Sequence, residues 1–227
     1  GGLDQLIEDH PFSLFPQILS TERPDKTASF LIDGKVAIIC DGSPYASIAP
    51  ITFFRFFHTS EDTTLRWQFG TFLRLIRMVA AFLATFLPGL FVALTLYHQE
   101  MIPTELLFSL SRARENIPIP SILELLVMEL FFELMREAGV RLPGAIGQTL
   151  GIIGAIILGS AAVAAGIVSP ILIMVVSITG LCSFAIPNYS IAFGVRITRF
   201  IFFFFGAIVG FYGIAAGIFI FGGLACS

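Results

Sequence analysis

Charged residues are scarce in this 227-residue chain, and acidic residues are missing altogether from its C-terminal part. Only 13% of the residues are charged, whereas a soluble domain usually carries about a quarter. All 16 acidic side chains lie at or before Glu137, and residues 142–227 contain only two charged side chains, Arg196 and Arg199. With 56% hydrophobic residues and a mean hydropathy of +0.90, the composition excludes a disordered chain and indicates a membrane protein.

Other absences exclude classes of function. A net charge of -3 offers no basic surface for nucleic acid. Cys40, Cys182 and Cys226 are odd in number and far apart, so they predict neither a disulfide framework nor a metal site. The three histidines are scattered, and no catalytic triad, P-loop or nucleotide-binding fingerprint is present. We therefore expect no enzyme activity, no metal and no cofactor.

Residues 1–57 have the mixed composition of a soluble α/β segment. The apolar runs 36–40 and 45–51, separated by the turn residues 41–44, predict a β-hairpin. A charged, proline-broken loop at residues 21–26 precedes them and can lead into a short helix. The segment is too small to be a whole domain, so we interpret it as the end of one.

Uncharged runs predict most of the membrane helices. Residues 58–77 form a predicted interfacial helix, and its Arg66, Arg74 and Arg77 place the N-terminal segment in the cytoplasm. The fold class is therefore mainly α, a polytopic α-helical membrane protein with a small α/β N-terminal segment. Four full spans are predicted, at residues 78–97, 144–165, 167–186 and 200–224.

An amphipathic acidic helix is predicted at residues 121–138, opened by Ser121 and Glu124 as a capping box. Glu129, Glu133 and Glu137 share one face of this helix. They can pair with Arg136 and face water, or they can form acidic rings in a symmetric oligomer that attract cations. We expect the helix to be embedded beside four spans, whereas five spans result if protein shelters its charges.

Small residues and hydroxyls mark two further helix faces. Glycines spaced for close helix packing, within one subunit or between subunits, are Gly147, Gly151, Gly206, Gly210, Gly213 and Gly217. Another face of the helix at 144–165 carries Thr149, Ile153, Ile156 and Ser160. Hydroxyls at both ends of an aliphatic pair suit a narrow pore with a dewetting constriction, although such hydroxyls more often bond to their own helix. A second candidate pore helix is 167–186, with Ser177 and Ser183.

Several sequence blocks, in the same order along nearly the whole chain, resemble the A subunit of the GerA family of spore germination receptors. They are Pro16-Gln17-Ile18-Leu19-Ser20-Thr21-Glu22-Arg23-Pro24-Asp25-Lys26, Gly34-Lys35-Val36-Ala37-Ile38-Ile39-Cys40-Asp41-Gly42-Ser43-Pro44, Ile102-Pro103-Thr104-Glu105-Leu106-Leu107, Met128-Glu129-Leu130, Arg136-Glu137-Ala138-Gly139-Val140-Arg141-Leu142-Pro143, Ile146-Gly147-Gln148, Ala165-Gly166-Ile167-Val168-Ser169-Pro170 and Ile186-Pro187-Asn188-Tyr189-Ser190.

The resemblance implies a multi-pass protein of the spore inner membrane that works with a transporter-like B subunit and a lipoprotein C subunit. It implies a homo-oligomeric ring, such as a pentamer, that conducts monovalent cations across the lipid bilayer when a nutrient binds. The family's large N-terminal soluble region and basic C-terminal tail are not in this sequence. The resemblance assigns no pore residues, and the alternative function is a transporter-like or scaffolding membrane subunit without a pore of its own.

Overall fold

The computed structural model describes residues 7–8, 14–59, 62, 65–140 and 145–226, without the side chains of 140, 145–152, 155 and 224–226. Within these residues the protein is mainly α-helical, with one small sheet. The mainly α fold with a small N-terminal sheet is confirmed. The eight helices are α1 (Pro24–Ile32), α2 (Trp67–Tyr97), α3 (Thr104–Arg114), α4 (Ser121–Val140), α5 (Ala145–Ala164), α6 (Pro170–Phe184), α7 (Tyr189–Val209) and α8 (Phe211–Cys226).

The sheet is antiparallel and has three strands, β1 (Leu19–Thr21), β2 (Val36–Ile39) and β3 (Ala46–Ala49), in the order β1-β3-β2. The pairing of β2 with β3 confirms the predicted hairpin. Its turn includes Gly42, whose φ of +81° favours glycine. A short 3₁₀ segment, Phe53–Phe57, leads from the sheet towards the helices.

One apolar core joins the N-terminal segment to the helices. Leu19 and Ile48 of the sheet, both fully buried, share this core with Ala81 of α2, Ile186 and Ile191. The turn between α6 and α7 therefore lies on the same side of the helical bundle as the sheet. Burial of these side chains is the main term that holds the two parts together.

Two pairs of helices that are not consecutive in the chain run parallel to each other, as expected when consecutive helices alternate in direction. Glu124 near the start of α4 contacts Ser169 at the start of α6, and Arg136 near the end of α4 contacts Ser183 near the end of α6, so these two helices are parallel. Gly89 of α2 lies against Gly206 of α7, and Tyr97 donates to carbonyl groups near the end of α7, so α2 and α7 also run parallel.

Two helices are long and apolar enough to cross a membrane, Trp67–Tyr97 and Tyr189–Val209, and Pro170–Phe184 and Phe211–Gly223 are shorter apolar helices. These lengths are counted over the described residues only. The predicted helices at 144–165 and 167–186 correspond to α5 and α6. The predicted helix 58–77 is continuous with the run 78–97 in α2, whose first residue in the described chain is Trp67.

The predicted segment 200–224 is divided, and this corrects its bounds. Helix α7 begins at Tyr189 and ends at Val209, and α8 begins at Phe211. Gly210 between them has φ +67°, which is incompatible with a continuing helix. The uncharged run predicts a start at residue 200, whereas in the structure Arg196 and Arg199 lie within α7 and pair with carboxylates of α4.

Candidate functional site in a charged helix contact

A cluster of charged side chains joins α4 to α7 inside the helical bundle. Glu129, Glu133 and Arg136 come from α4, and Arg196 and Arg199 come from α7. The spacings of three and four residues place each group on one helix face. Two carboxylates thus meet three guanidinium groups, an excess of one positive charge.

Arg199 is the centre of this cluster. Its Nη1 lies 2.8 Å from Oε2 of Glu129, and its Nη2 donates to Oε2 of Glu133 at 3.1 Å. Only 1% of Arg199 and 2% of Glu129 are exposed. Removal of Arg199 therefore leaves the buried carboxylate of Glu129 without its ion-pair partner, which is the costly case for a buried pair.

Glu133 connects three arginines. Its Oε1 accepts from Nη1 of Arg196 at 3.1 Å, and its Oε2 lies 3.5 Å from Nη1 of Arg136. Arg136 also donates to the hydroxyl of Ser183 and lies over the rings of Phe132 and Phe184, at 5.1 and 4.7 Å from their centroids. These cation–π contacts add to the shelter of its charge.

A second buried carboxylate ties the other end of α4. Oε1 of Glu124 accepts from the backbone N–H of Ser169, and Oε2 lies 3.8 Å from Nη2 of Arg114 in α3. The capping-box role that the sequence predicted for Glu124 is thus replaced by a contact with the start of α6. Ser169 in turn caps that helix, since its hydroxyl accepts from the N–H of Leu172.

The predicted acidic face is divided between these environments. Glu129 and Glu133 lie in the ion-pair cluster, whereas Glu137 is exposed near the end of α4. The sequence missed Arg196 and Arg199 as the partners. A signal was present: the only two charges after residue 141 are spaced by three residues, as required to face two carboxylates on one helix.

The predicted pore face of α5 lies on the outside of the subunit. Ile153 and Ile156 are 47% and 61% exposed. Ser160 is exposed and donates to the carbonyl of Ile157 in its own helix, and the side chain of Thr149 lies outside the described residues. Helix α5 packs through another face, where Gly154 meets Met135 and Gly159 meets Ile173.

The second candidate pore helix, α6, is placed differently. Ser183 is buried against Arg136, and Ser177 borders a cavity of about 20 Å³ that Met128 and Phe132 also line. That cavity is about the size of one water molecule. Neither serine therefore lies on an open face of the subunit.

Four of the predicted packing glycines lie at contacts within the subunit. A Cβ on Gly206 would lie 2.5 Å from the carbonyl oxygen of Gly89, and a Cβ on Gly213 would meet the carbonyl of Phe205. Gly217 faces the ring of Phe202, and Gly210 makes the turn. The surroundings of the two remaining glycines, Gly147 and Gly151, are not among the described features.

The described part of the chain contains no group of three His, Cys, Asp or Glu residues that is placed to hold a metal ion. Of the histidines, His58 Nδ1 lies 2.9 Å from the carbonyl of Phe54, and the ring of His98 packs against Phe211. His10 lies outside the described residues. The ion pairs of the charged cluster connect α4 to α7.

Comparison with known proteins identifies the group to which this chain is related. The family model described as "Bacillus/Clostridium GerA spore germination protein" matches residues 1–227. The chain is 46% identical over 218 residues to spore germination protein KA of Bacillus subtilis, which is 96% of this chain and 40% of that protein. It is 47% identical over 214 residues to spore germination protein GerLA of Bacillus cereus, 94% of this chain and 44% of that protein.

An uncharacterized membrane protein of Bacillus subtilis, YfkQ, is 46% identical over 217 residues, 96% of this chain and 42% of that protein. The chain thus spans less than half the length of these curated relatives. No solved structure matches it significantly. The match to the family model over every residue shows that the chain belongs to the GerA family of spore germination proteins.

Proposed function

We propose that this chain is the membrane part of a germinant receptor subunit of bacterial spores, and that copies of it assemble into a nutrient-gated cation channel. Membership of the family over all 227 residues supports the role in germination. The observation that carries the channel is the outward face of α5, which combines exposed Ile153 and Ile156 with Ser160. The receptor then includes a transporter-like B subunit and a lipoprotein C subunit, in the spore inner membrane.

In this proposal α2 and the helices from α4 to α8 all lie in the membrane. The alternating directions favour this bundle over four spans, because Ile186 packs with the sheet and so lies on the cytoplasmic side. The ion pairs to arginine shelter the charges of α4, which removes the reason to keep that helix at the interface. The end of α8 then returns to the cytoplasm, as an even number of crossings requires.

The proposed pore face is the side of α5 that is not covered within one subunit. Helix α5 covers its glycine face with α4 and α6 and leaves its isoleucines open. In a ring such as a pentamer, each copy contributes Ile153 and Ile156 to a hydrophobic constriction that blocks ions by dewetting. Thr149 and Ser160 lie one turn before and one turn after this constriction along the helix.

Of the three glutamates, Glu137 is the exposed one, so it is the position at which cation attraction is tested. Glu129 and Glu133 are balanced by arginine, and their fields are largely cancelled at a distance. Glu137 is exposed near the end of α4. Replacing Glu137 with Gln is therefore the clean test: cation conductance is expected to fall at low salt and to change less at high salt, where screening is stronger. Equal effects at both salt concentrations exclude an electrostatic role.

The experiment that tests the channel is single-channel recording of the purified full-length protein in planar bilayers. We expect cation currents, and we expect Ile156→Ala to raise the leak without nutrient, because a smaller side chain lets water enter the constriction. Ile208→Ala, on α7 and 69% exposed, is the matched control. Phe203 on the same helix is unsuitable as a lipid-facing control, because only 2% of it is exposed.

Two outcomes contradict the channel. If the protein is abundant and monomeric in mild detergent, no ring forms. If rings form but neither the wild type nor Ile156→Ala conducts, the chain is a scaffolding or transporter-like subunit and the face of α5 contacts another helix. Protein amounts must be compared in each case, because Ile→Ala costs about 2 to 5 kcal/mol in a packed site.

A further inference from the structure

An apolar cavity of about 410 Å³ lies where the N-terminal segment meets α2, α7 and α8. Its walls are rich in phenylalanine: Phe15 and Phe54 come from the N-terminal segment, Phe82 from α2, Phe202 from α7 and Phe221 from α8. The volume falls within the range of small-ligand pockets. The proposed channel makes no use of this cavity.

The cavity offers a ligand no polar partner. Its two hydroxyl groups are already used by their own helices, since Thr85 donates to the carbonyl of Ala81 at 2.8 Å and Thr198 to that of Gly194 at 2.7 Å. Among the residues that the structure describes, no charged side chain lines it. A polar ligand would lose its hydrogen bonds with water on entry and recover none, so the cavity fits an alkyl chain.

Positive charge borders the cavity on one side. The lining residues of α2 form one helical stripe that contains Met78 and Phe82, and Arg74 continues this stripe one turn earlier. Arg77 precedes Met78 and donates to the carbonyl of Phe57, another lining residue, at 3.1 Å. Arg74 and Arg77 both lie near Asp62, so two arginines and one acid of the described residues meet at this rim.

Arg74 is the arginine that is available to an anion. Its side chain is 35% exposed, and its Nε lies 3.6 Å from the nearest oxygen of Asp62, too far for a hydrogen bond. Nε is itself buried and has no hydrogen-bond partner within the described residues, so the 35% exposure of the side chain belongs to its other atoms. Arg77, by contrast, is held by two oxygens of Asp62 and by Phe57.

The cavity suits an alkyl chain, and Arg74 beside it belongs to the predicted interfacial segment 58–77. A ligand that fits both features is an amphiphile with an anionic headgroup. We propose that this cavity binds one acyl chain of an anionic phospholipid, with the phosphate near Arg74. The inference rests on the membrane insertion in the proposed function and is independent of the pore. The bound lipid fills the space between the N-terminal segment and the bundle, where the described residues leave a gap.

The test is photolabelling of the full-length chain in phospholipid vesicles. The probes are phosphatidylglycerol and phosphatidylcholine, each with a diazirine in the middle of one acyl chain, and labelled peptides are mapped by mass spectrometry. We expect phosphatidylglycerol to label the cavity residues Phe82 and Phe221 more strongly than Val79, which is 50% exposed on another face of α2. Labelling of Val79 alone shows an inserted protein with no lipid in the cavity and overturns the proposal.

Two neighbouring glycines provide a matched pair of variants. Gly222 lines the cavity and Gly223 does not, and a Cβ on either would meet nothing within 4 Å, so both tolerate a larger residue. Gly222→Phe is expected to lower labelling of Phe82 to the level at Val79, whereas Gly223→Phe is expected to leave it unchanged. Equal effects of the two variants overturn the cavity as the site.

The headgroup is tested separately. Arg74→Gln is expected to lower labelling by phosphatidylglycerol about fivefold, since one arginine near anionic lipid contributes about 1 kcal/mol. Labelling by phosphatidylcholine is expected to change little. An equal decrease for both probes, or no decrease, contradicts the anionic headgroup. If no residue of α2 is labelled by either probe, the membrane insertion itself is wrong.

Discussion

Arg199 is the residue on which the contact between α4 and α7 depends most. It is 1% exposed and faces both Glu129 and Glu133. We expect Arg199→Met to lower the free energy of unfolding by about 3 to 5 kcal/mol, because the buried carboxylate of Glu129 loses its ion-pair partner. Thermal unfolding in mild detergent measures this loss, and Arg66→Met, at an exposed arginine, is the control.

A double variant separates lost pairing from lost packing. Glu129→Gln in the Arg199→Met protein removes the buried charge that lost its partner, so the double variant is expected to be more stable than Arg199→Met alone. Strictly additive losses would mean that the two side chains do not stabilise each other. The pair would then contribute only its packing.

The ion pair of Asp62 makes the stability of the fold depend on pH. Burial by itself raises the pKa of Asp62, but hydrogen bonds from Arg77 and Thr59 outweigh it and hold the pKa below its ordinary value. The ion pair therefore stabilises the fold above about pH 4, the range of the unfolded pKa, and the stabilisation is lost as the pH falls through the folded pKa. This contact fixes the start of α2.

We expect the stability difference between wild type and Asp62→Asn to be constant above about pH 5 and to shrink below about pH 4. Unfolding temperatures between pH 3 and pH 7 measure it. In the Arg77→Gln background the dependence should be much weaker, since the main hydrogen-bond donor to Asp62 is gone. A difference that grows as the pH falls contradicts the sign of the shift.

At the scale of the elements, the backbones of α2 and α7 approach each other closely at two glycines. A Cβ on Gly206 would lie 2.5 Å from the carbonyl oxygen of Gly89, and backbone cannot move as a flexible side chain can. We expect Gly206→Ala to destabilise the protein by about 1 to 3 kcal/mol through overpacking. Gly223→Ala, with open space around its Cβ, should be neutral or slightly stabilising, because alanine favours the helix. Equal stability of the two variants contradicts the contact.

The elements also show what the sequence can and cannot predict. Hydrophobic runs and caps predict α5, α6 and the hairpin, because these signals are local. The division of α7 from α8 at Gly210 and the start of α7 at Tyr189 depend on partners distant in the chain. An arginine in an apolar run suggests a helix end until a carboxylate elsewhere is known to neutralise it. The spacing of the glycines predicts close packing but does not identify their partners, such as Gly89 for Gly206, which depend on the tertiary structure.

For the whole molecule, the shared core and the charged cluster stabilise different contacts. The core of Leu19, Ile48 and Ile186 fixes the N-terminal segment to one end of the bundle. The pairs of Arg196 and Arg199 with α4 allow a charged helix to lie inside the bundle. Together they determine which connections lie on the same side of the membrane in the proposed arrangement.

That arrangement makes a prediction about sidedness. In a protein whose native cysteines are replaced by serine, Ser29→Cys in α1 and Ser190→Cys at the start of α7 are expected to react with a membrane-impermeant maleimide only from the cytoplasmic side. Ser111→Cys in α3 should react only from the outside, because α3 follows the far end of α2. All three side chains are accessible or partly accessible, so lack of reaction reports sidedness.

The decisive position is 190. The predicted order of four spans leaves the start of α7 outside, whereas the packing of Ile186 and Ile191 with Leu19 requires the same side as the sheet. Labelling of Ser190→Cys in intact cells, together with protection of Ser29→Cys, would restore the four-span order and would mean that the shared core does not form in the membrane. Labelling of Ser29→Cys in intact cells would instead reverse the whole orientation, against the cytoplasmic position that Arg66, Arg74 and Arg77 predict.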